Sequence, residues 1–288
     1  MTLLRLYPAP AQACSLEGLY LDTPLAHATP DSPFVYSNFV TSLDGRVAVE
    51  NQAGQDEVPT SVANRHDWRL YQELAARADA LLIGGRYFRQ LAEGRAQAAL
   101  PVADEPAFGD LLAWRRAQGL RPQPDVVVLS NTLDFSLPET LLEQGRRVLI
   151  FVARPLITAE RRARLTAQGA EVIGLDAEPD AASVTRELDV RQVVRALGER
   201  GYRRVYSVAG PYSLHSLLRH GVVDTLFVTQ RLAMIGGERY QSLLEGPSLA
   251  TPAGFSLASL YYQESVDGDA GQLFARFDRR PGADAASR

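Results

Sequence analysis

The fold class is decided by residues 125–173, whose sequence is DVVVLSNTLDFSLPETLLEQGRRVLIFVARPLITAERRARLTAQGAEVI. Two runs in this stretch, Asp125–Leu129 and Val148–Val152, are short and rich in valine and other apolar residues, which is typical of strands buried on both faces. A third strand is predicted at Glu171–Ile173, and helices are predicted at Pro138–Gln144 and Ala159–Gln168. Strands that alternate with helices in this way predict an α/β fold with parallel strands.

The same alternation continues on both sides of this stretch. Before it, the sequence predicts a strand, a helix and a strand, at Phe34–Val40, from Asn64 to Arg77 and at Ala80–Ile83. After it, the predicted order is helix, strand, helix and strand, at Val190–Arg200, Arg204–Val208, Ser213–His220 and Thr225–Thr229. Most of the chain therefore belongs to one repeating α/β pattern.

The last part of the chain has a different pattern. Phe255–Gln263 and Gln272–Phe277 alternate in character, and Asp267-Gly268-Asp269 between them is a hairpin turn signal. We therefore predict a single α/β domain with a mixed, mostly parallel sheet, helices on both faces and a C-terminal antiparallel hairpin. It is expected to span residues 33–280, after an extended N-terminal arm at 1–32 with at most one short element, and before a flexible tail at 281–288.

Composition excludes several classes of partner. The chain has 288 residues, 46% of them hydrophobic and 22% charged, and its formal net charge is −4. Proteins whose main partner is nucleic acid are usually basic, so we expect no nucleic-acid partner. No apolar run approaches the roughly 18–20 residues that cross a bilayer. The start of the chain also lacks the pattern of a signal peptide, so we expect a cytoplasmic protein without a membrane partner.

Two residue types are nearly or wholly missing. The chain has no lysine, which excludes lysine Schiff-base chemistry and the lysine of P-loop enzymes. Its one cysteine, Cys14, excludes a disulfide framework or a cysteine-rich metal site within one chain. The four histidines, His27, His66, His215 and His220, do not have metal-ligand spacing, so we expect no metal.

Ligands of open α/β sheets bind at the carboxyl ends of the strands, and four predicted strand ends carry suitable residues. Gly84-Gly85-Arg86-Tyr87 and Ala209-Gly210-Pro211-Tyr212-Ser213 have glycines that admit a ligand to the backbone, and the latter precedes a helix whose N-terminus suits a phosphate. Ser130-Asn131-Thr132 offers hydrogen bonds to a ribose or phosphate, and Arg154 is suited to a 2′-phosphate. The alternatives are ordinary turns and a solvated arginine.

A resemblance to a known family adds to this interpretation. The run VYSNFVTSLDGR from Val35 to Arg46 resembles the S-L-D-G-[KR] signature of the riboflavin-biosynthesis reductases, which form the C-terminal half of bifunctional deaminase–reductases. Residues 67–85, 197–224 and the Ile-Gly-Gly at 235–237 match later segments of that family in the same order. The similarity covers residues 33–278, and the motifs of the deaminase half, H-x-E and P-C-x-x-C, are absent.

The resemblance implies a dihydrofolate-reductase-like fold, a homodimer and NADPH as the donor of a hydride. The family reduces a ribosylamino-pyrimidine, a small-molecule substrate, at C1 of its sugar, reached as an imine. No catalytic residue is assigned, and Ser42 and Asp44 in the signature turn are the candidates. Together, the strand ends and the resemblance predict cofactor contacts at Thr60, Ser61, Gly84, Gly85, Ser130, Asn131, Thr132, Arg154, Ala209, Gly210, Pro211, Tyr212 and Ser213. Substrate contacts are expected at Asn38, Arg86, Tyr87 and Val208.

The chain departs from the family pattern at four places. Val208 replaces a glutamate that precedes the glycine-rich turn, Tyr87 replaces a threonine, and Ala75 replaces an arginine on the preceding helix. The Asp and Arg that follow the threonine in the family have no clear match near Leu91. These replacements affect the substrate half of the pattern more than the cofactor half. We therefore expect a paralogous NADPH-dependent reductase with an altered substrate. Two alternatives are the riboflavin-pathway reductase itself and a non-catalytic NADPH-binding dimer.

Overall fold

The computed structural model of the chain describes residues 2–25, 32–94, 102, 105–178, 187–265 and 269–280. The strands are β1 (Thr2–Tyr7), β2 (Gln12–Ser15), β3 (Phe34–Thr41), β4 (Ala48–Glu50), β5 (Asp56–Glu57), β6 (Ala80–Gly84), β7 (Asp125–Ser130), β8 (Val148–Ala153), β9 (Ala170–Leu175), β10 (Ala177–Glu178), β11 (Glu187–Leu188), β12 (Arg204–Ser207), β13 (Thr225–Arg231), β14 (Tyr240–Gln241), β15 (Phe255–Gln263) and β16 (Gln272–Arg279). The helices are α1 (Arg65–Arg77), α2 (Gly85–Ala92), α3 (Gly109–Ala117), α4 (Glu139–Glu143), α5 (Ala159–Ala167), α6 (Val190–Glu199) and α7 (Pro211–Arg219).

The chain divides into two compact units. Unit 1 comprises Met1–Leu25, Val35–Leu74 and Pro211–Arg288, and unit 2 comprises Ala26–Phe34 and Ala75–Gly210. Unit 2 therefore contains the stretch that decides the fold class, and unit 1 contains the signature turn and the C-terminal strands.

Unit 2 is built on parallel strands in the order β12-β6-β7-β8-β9. Its central strands are apolar on both faces, and Val126, Val127 and Val128 of β7 are fully buried. Strands of this kind form because β-branched side chains fit a pleated surface that is covered on both sides. Because all five strands run in one direction, their carboxyl ends lie at one edge and their amino ends at the opposite edge.

Unit 1 is mostly antiparallel. Its strands follow the order β2-β1-β15-β16-β13-β3, in which only β13 and β3 pair in parallel, and a small second sheet has the order β14-β4-β5. Phe227 of β13 lies between the rings of Tyr20 and Tyr36 in the core of this unit. The predicted α/β fold with a mixed, mostly parallel sheet and a C-terminal antiparallel strand pair is therefore confirmed.

The N-terminal segment differs from the expected arm. β1 and β2 pair as an antiparallel hairpin, and β1 also pairs with β15. The reason is that β1 has one buried side chain, Leu3, and completes its hydrogen bonds on a distant strand. The residues Asp267 and Gly268 of the predicted turn, and the predicted tail at 281–288, lie outside the described residues.

Two further properties concern only the described part of the chain. None of its helices is long and apolar enough to cross a membrane. Within it, no group of three or more histidine, cysteine, aspartate or glutamate side chains is arranged to hold a metal ion.

Candidate functional site

Several predicted cofactor residues share one edge of unit 2. In the parallel register Ser207 pairs with Leu82, Gly84 with Leu129, and Ser130 with Val152, so β12, β6, β7 and β8 end side by side. This edge, which we call the strand-tip edge, carries Gly84–Tyr87, Ser130–Thr132, Arg154 and Val208–Gly210. The structure therefore brings the predicted cofactor and substrate residues of this unit to the same side of the sheet.

The start of α2 is a helix N-terminus at the strand-tip edge. Gly84 is the N-cap residue, with φ −92° and ψ 152°, and as a glycine it contributes no side-chain cap to the first turn. That turn contains no acidic residue. The first N–H groups of a helix lack partners within the helix and carry partial positive charge, so this end suits an anionic ligand.

Gly85 has a structural reason to be glycine. A Cβ atom there would lie 3.1 Å from Ser130 Oγ and 3.1 Å from Phe135 Cε1. The loop after β7 therefore packs directly against the backbone of Gly85. Gly85 is buried, whereas its neighbour Gly84 at the strand-tip edge is half-buried.

The hydroxyls after β7 are partly used by their own turn. Ser130 Oγ accepts hydrogen bonds from the backbone N–H groups of Thr132 at 3.3 Å and Leu133 at 3.1 Å. Thr132 Oγ1 accepts one from the N–H of Asp134 at 3.3 Å. Ser130 is buried, whereas Asn131 and Thr132 are exposed. The exposed pair is therefore better placed than Ser130 to contact a ligand.

The turn after β12 is open. Val208 donates its N–H to Leu82 O at 3.0 Å, Ala209 is buried, and Gly210 is exposed. A Cβ atom at Gly210 would meet no heavy atom within 4 Å. The backbone of Gly210 therefore faces free space, as the contact surface for a ligand must.

Arg154 follows β8 at the same edge. Its Nε donates to Asp176 Oδ1 at 3.0 Å, and both side chains are exposed. The guanidinium keeps further N–H groups for an anion, because Asp176 accepts only from Nε. The carboxylate of Asp176 also places a negative charge next to the position where a 2′-phosphate is predicted.

The candidate catalytic residues lie in unit 1 and form a tight turn. Ser42 Oγ donates to Asp44 Oδ1 at 2.5 Å, and the backbone N–H groups of Gly236 and Ile235 donate to the same carboxylate at 2.9 and 3.3 Å. Arg46 Nε lies 3.4 Å from Asp44 Oδ2, and its guanidinium stacks on the Tyr240 ring at 3.9 Å.

These contacts determine the charge of Asp44. The hydrogen bond from Ser42 and those from the backbone of Gly236 and Ile235 lower the pKa of Asp44 to about 2. The carboxylate is therefore ionised at neutral pH and ties its turn to residues 235–236. This arrangement favours a positioning role for Asp44 over proton donation, and its catalytic role stays a prediction.

The remaining predicted residues also lie in unit 1. Thr60 and Ser61 are exposed in the loop before α1, Asn38 is half-buried on β3, and Pro211–Ser213 form the first turn of α7. Tyr212 is exposed and Pro211 is buried. Ile235 and Gly236 were predicted only as part of a motif, because the backbone N–H groups that they donate to Asp44 leave no signal in side-chain chemistry.

The comparisons with known proteins decide the family. A family model described as the RibD C-terminal domain matches residues 33–263. The chain belongs to the RibD C-terminal domain family. This is a reductase-like family related to riboflavin biosynthesis, as the sequence resemblance predicted. A search of curated proteins found no match at a significant level.

Solved structures are similar in fold to this member of the RibD C-terminal domain family. A pyrimidine reductase-like protein from Corynebacterium diphtheriae has a TM-score of 0.67 and 20% identity, over 93% of this chain and 100% of that chain. RibD from Acinetobacter baumannii has a TM-score of 0.56 and 16% identity, over 87% of this chain and 58% of its own. The riboflavin biosynthesis reductase Rib7 of Saccharomyces has a TM-score of 0.50 and 16% identity, over 91% and 95%.

Proposed function

We propose that the chain is an NADPH-dependent oxidoreductase that binds the dinucleotide at the strand-tip edge of unit 2. Membership of the RibD C-terminal domain family supports a reductase. The observation that carries the cofactor proposal is the geometry of this edge, where a helix N-terminus with a glycine N-cap and the open space beside Gly210 flank aligned parallel strand ends. Dinucleotides bind open α/β sheets at such edges.

The residues at this edge fit a nicotinamide dinucleotide. The N–H groups at the start of α2 suit a pyrophosphate, and the open space beside Gly210 lets a ligand reach the backbone there. Asn131 and Thr132 offer exposed polar groups for a ribose. When bound, the reduced dinucleotide supplies a hydride, and the task of the chain is to hold donor and acceptor in register while excluding water.

The substrate is proposed to differ from that of the riboflavin-pathway reductase. Val208 directly follows β12 at the strand-tip edge and is half-buried, so an apolar side chain stands where the family pattern has a carboxylate. An apolar group cannot accept a hydrogen bond from a polar substrate, and an unpaired polar group at such a contact weakens binding. This observation favours an altered substrate, with the ribosylamino-pyrimidine itself as the second candidate.

The proposal is tested by titrating the protein with NADPH while its fluorescence is recorded. Replacing Gly210 by leucine fills space that the fold leaves open, so we expect the folded chain to tolerate Gly210→Leu. A bound dinucleotide would meet this side chain, so the NADPH dissociation constant should rise at least about tenfold, as expected when one hydrogen bond to a charged group is lost. Gly109→Leu is the matched control, because Gly109 also has no heavy atom within 4 Å of its Cβ direction.

The outcomes separate the three alternatives. Wild-type protein that ignores NADPH at millimolar concentration contradicts the cofactor proposal. If NADPH binds, a screen of metabolite pools for cofactor consumption follows. Consumption with the ribosylamino-pyrimidine favours the riboflavin-pathway reductase, and consumption only with another compound supports the altered substrate. NADPH binding without turnover on any pool favours a non-catalytic binding protein.

Arg154 provides a test of cofactor preference. We expect Arg154→Ala to raise the NADPH dissociation constant about tenfold and to leave that of NADH nearly unchanged, because only NADPH carries a 2′-phosphate. Asp176→Asn removes the negative charge 3.0 Å from Arg154 Nε and should tighten NADPH binding. Equal effects of Arg154→Ala on both dinucleotides would show that Arg154 does not contact the 2′-phosphate.

We also propose that the protein is a homodimer. Leu4 and Leu6 of β1 are each 40% exposed, and two exposed leucines so close together on one strand are typical of a surface that another chain covers. The double variant Leu4→Asp/Leu6→Asp should elute as a 31.5 kDa monomer in size-exclusion chromatography with light scattering, whereas wild type elutes at twice that mass. Leu142→Asp on α4 is the control, since Leu142 is exposed to a similar extent. A monomeric wild-type protein contradicts this proposal.

A further inference from the structure

A second concave site lies in unit 2, at the amino ends of its parallel strands. It is formed by the segments that precede β6, β7, β8 and β12 and by the turn after α3. The cavity has a volume of about 190 Å³. We call it the amino-edge pocket; it lies at the edge of the sheet opposite to the strand-tip edge, so the proposed reductase function does not use it.

Positive charge is in excess around this pocket. Its charged lining consists of four arginines and two aspartates, Arg115, Arg121, Arg147, Arg200, Asp79 and Asp125. One of the arginines, Arg115, is fully buried and donates to backbone carbonyls at and just after the end of α1, with its Nη1 at 2.7 Å from Ala76 O and 2.8 Å from Ala78 O. The pocket wall therefore holds a fixed cation as well as surface ones.

The two carboxylates are occupied by the protein itself. Asp79 Oδ2 accepts the backbone N–H groups of Arg203 and Arg204 at 2.7 and 2.8 Å. Asp125 accepts from Arg121 Nη1 at 2.6 Å, from Arg147 N and Nε at 2.9 and 3.1 Å, and from the Tyr202 hydroxyl at 2.8 Å. These bonds use both oxygens of Asp125 and Oδ2 of Asp79, so most of the groups still able to bind a ligand are donors.

The arginines are held in place by these contacts. The Arg147 guanidinium lies 5.8 Å from the centre of the Tyr202 ring and is fixed by Asp125, yet its side chain is 64% exposed. Arg200 is tied to Glu171 by its Nη2 at 2.9 Å and is partly exposed. Each guanidinium has five N–H groups, so both keep donors for a second acceptor. Pre-oriented guanidinium groups are well suited to a phosphate.

We propose that the amino-edge pocket binds a small phosphate-bearing anion. Pockets for drug-sized ligands have volumes of about 300–1,000 Å³, so this cavity is too small for a dinucleotide and matches inorganic phosphate or the head of a phosphate monoester. Net positive lining charge, occupied carboxylates and oriented guanidinium groups all favour a dianion over a neutral ligand.

The test is calorimetric titration of the full chain with inorganic phosphate at low ionic strength, against sodium chloride as the blank, because salt screens exposed charges. We expect saturable binding at one site per chain. Arg147→Gln and Arg200→Gln should each weaken it at least about tenfold, as loss of a charge-assisted contact does. Arg147→Gln is expected to fold, because the backbone N–H of residue 147, Arg121 and Tyr202 still bind Asp125.

Two controls locate the site. Arg239→Gln removes an exposed arginine that pairs with Glu50 in unit 1, and Arg280→Gln removes an exposed arginine that donates to Ser256 Oγ in the same unit. Both variants should bind phosphate within twofold of wild type. Titration with a phosphate monoester in place of phosphate tells which of the two ligands binds more tightly. The proposal is overturned if wild type shows no saturable heat, if the controls lose binding equally, or if NADPH displaces the phosphate.

Discussion

Asp125→Ala should lower the free energy of unfolding by about 3 kcal/mol. Asp125 is 1% exposed and accepts hydrogen bonds from Arg121, from the backbone and side chain of Arg147, and from the buried Tyr202 hydroxyl. The two guanidinium groups regain water in the variant because they are partly exposed, which reduces their share of the loss. The buried hydroxyl and the backbone N–H lose their partner, and each unsatisfied buried donor costs about 1–3 kcal/mol.

The measurement is chemical denaturation at neutral pH, followed by circular dichroism. Asp176→Ala is the matched control: it removes an aspartate that also pairs with an arginine, Arg154, but in a position where both side chains are exposed. Exposed ion pairs contribute about 0–1 kcal/mol, so this control should change stability by less than about 1 kcal/mol. If both variants lost the same free energy of unfolding, the burial of Asp125 and its several hydrogen-bond partners would contribute nothing to stability.

The contrast between these two aspartates shows what sequence can and cannot reveal. Asp125 was predicted only as the first residue of a strand, and nothing in its neighbourhood distinguishes it from Asp176. Its partners Tyr202 and Arg147 are 77 and 22 residues away in the chain. Side-chain networks of this kind depend on how strand starts are brought together, which a local pattern does not contain.

The strands of unit 2 were predictable for a physical reason. β7 and β8 are covered on both faces, so the apolar runs Val126–Leu129 and Val148–Val152 give a strong local signal, and the structure extends each predicted strand by one residue. β1 lacked such a signal because its sequence, TLLRLY, is apolar on both faces although only Leu3 is buried. Its stability comes from pairing with β15, far along the chain.

The location of the candidate site at the sheet edge could be predicted from the sequence, but most contacts of its residues could not. Parallel topology places the ends of β6, β7 and β12 at one edge, so Gly84, Asn131 and Gly210 could be assigned to it from sequence. The contacts of Asp44 could not be, because its backbone donors at Ile235 and Gly236 are 191 and 192 residues away. The contact of Gly85 with Phe135, which explains why residue 85 has no side chain, could not be predicted from the sequence either.

Asp67 is expected to make stability fall as the pH rises from about 4 to 6. Asp67 lies in the first turn of α1 and is 7% exposed. Its carboxyl group has a hydrogen bond with Thr229, but Oδ1 of Asp67 has no hydrogen-bond partner. Burial raises the pKa of Asp67 from 3.8 to about 6. The folded chain thus holds a proton that the unfolded chain has already lost at pH 5, and the charged form is disfavoured in the folded state.

The sign and size of the effect follow from this difference. A carboxyl whose folded pKa is raised costs nothing below its unfolded value of 3.8, and its cost grows until the pH passes about 6. The gap corresponds to about 3 kcal/mol, of which about half is already present at pH 5. Asp67→Asn removes the titration, so the variant should gain about 1.5 kcal/mol relative to wild type between pH 5 and pH 8.

Urea denaturation of wild type and Asp67→Asn at pH 5, 6.5 and 8 measures this gain. Asp224, whose pKa burial also raises to about 6, titrates in both proteins and cancels in the difference. Asp44→Asn is the contrast: the pKa of Asp44 is lowered to about 2, so its stabilising charge is present above pH 3.8 and lost only as the pH falls toward 2. The difference in the free energy of unfolding between Asp44→Asn and wild type should therefore stay constant from pH 5 to pH 8. A constant difference for Asp67→Asn would mean that the buried carboxyl of Asp67 does not hold its proton.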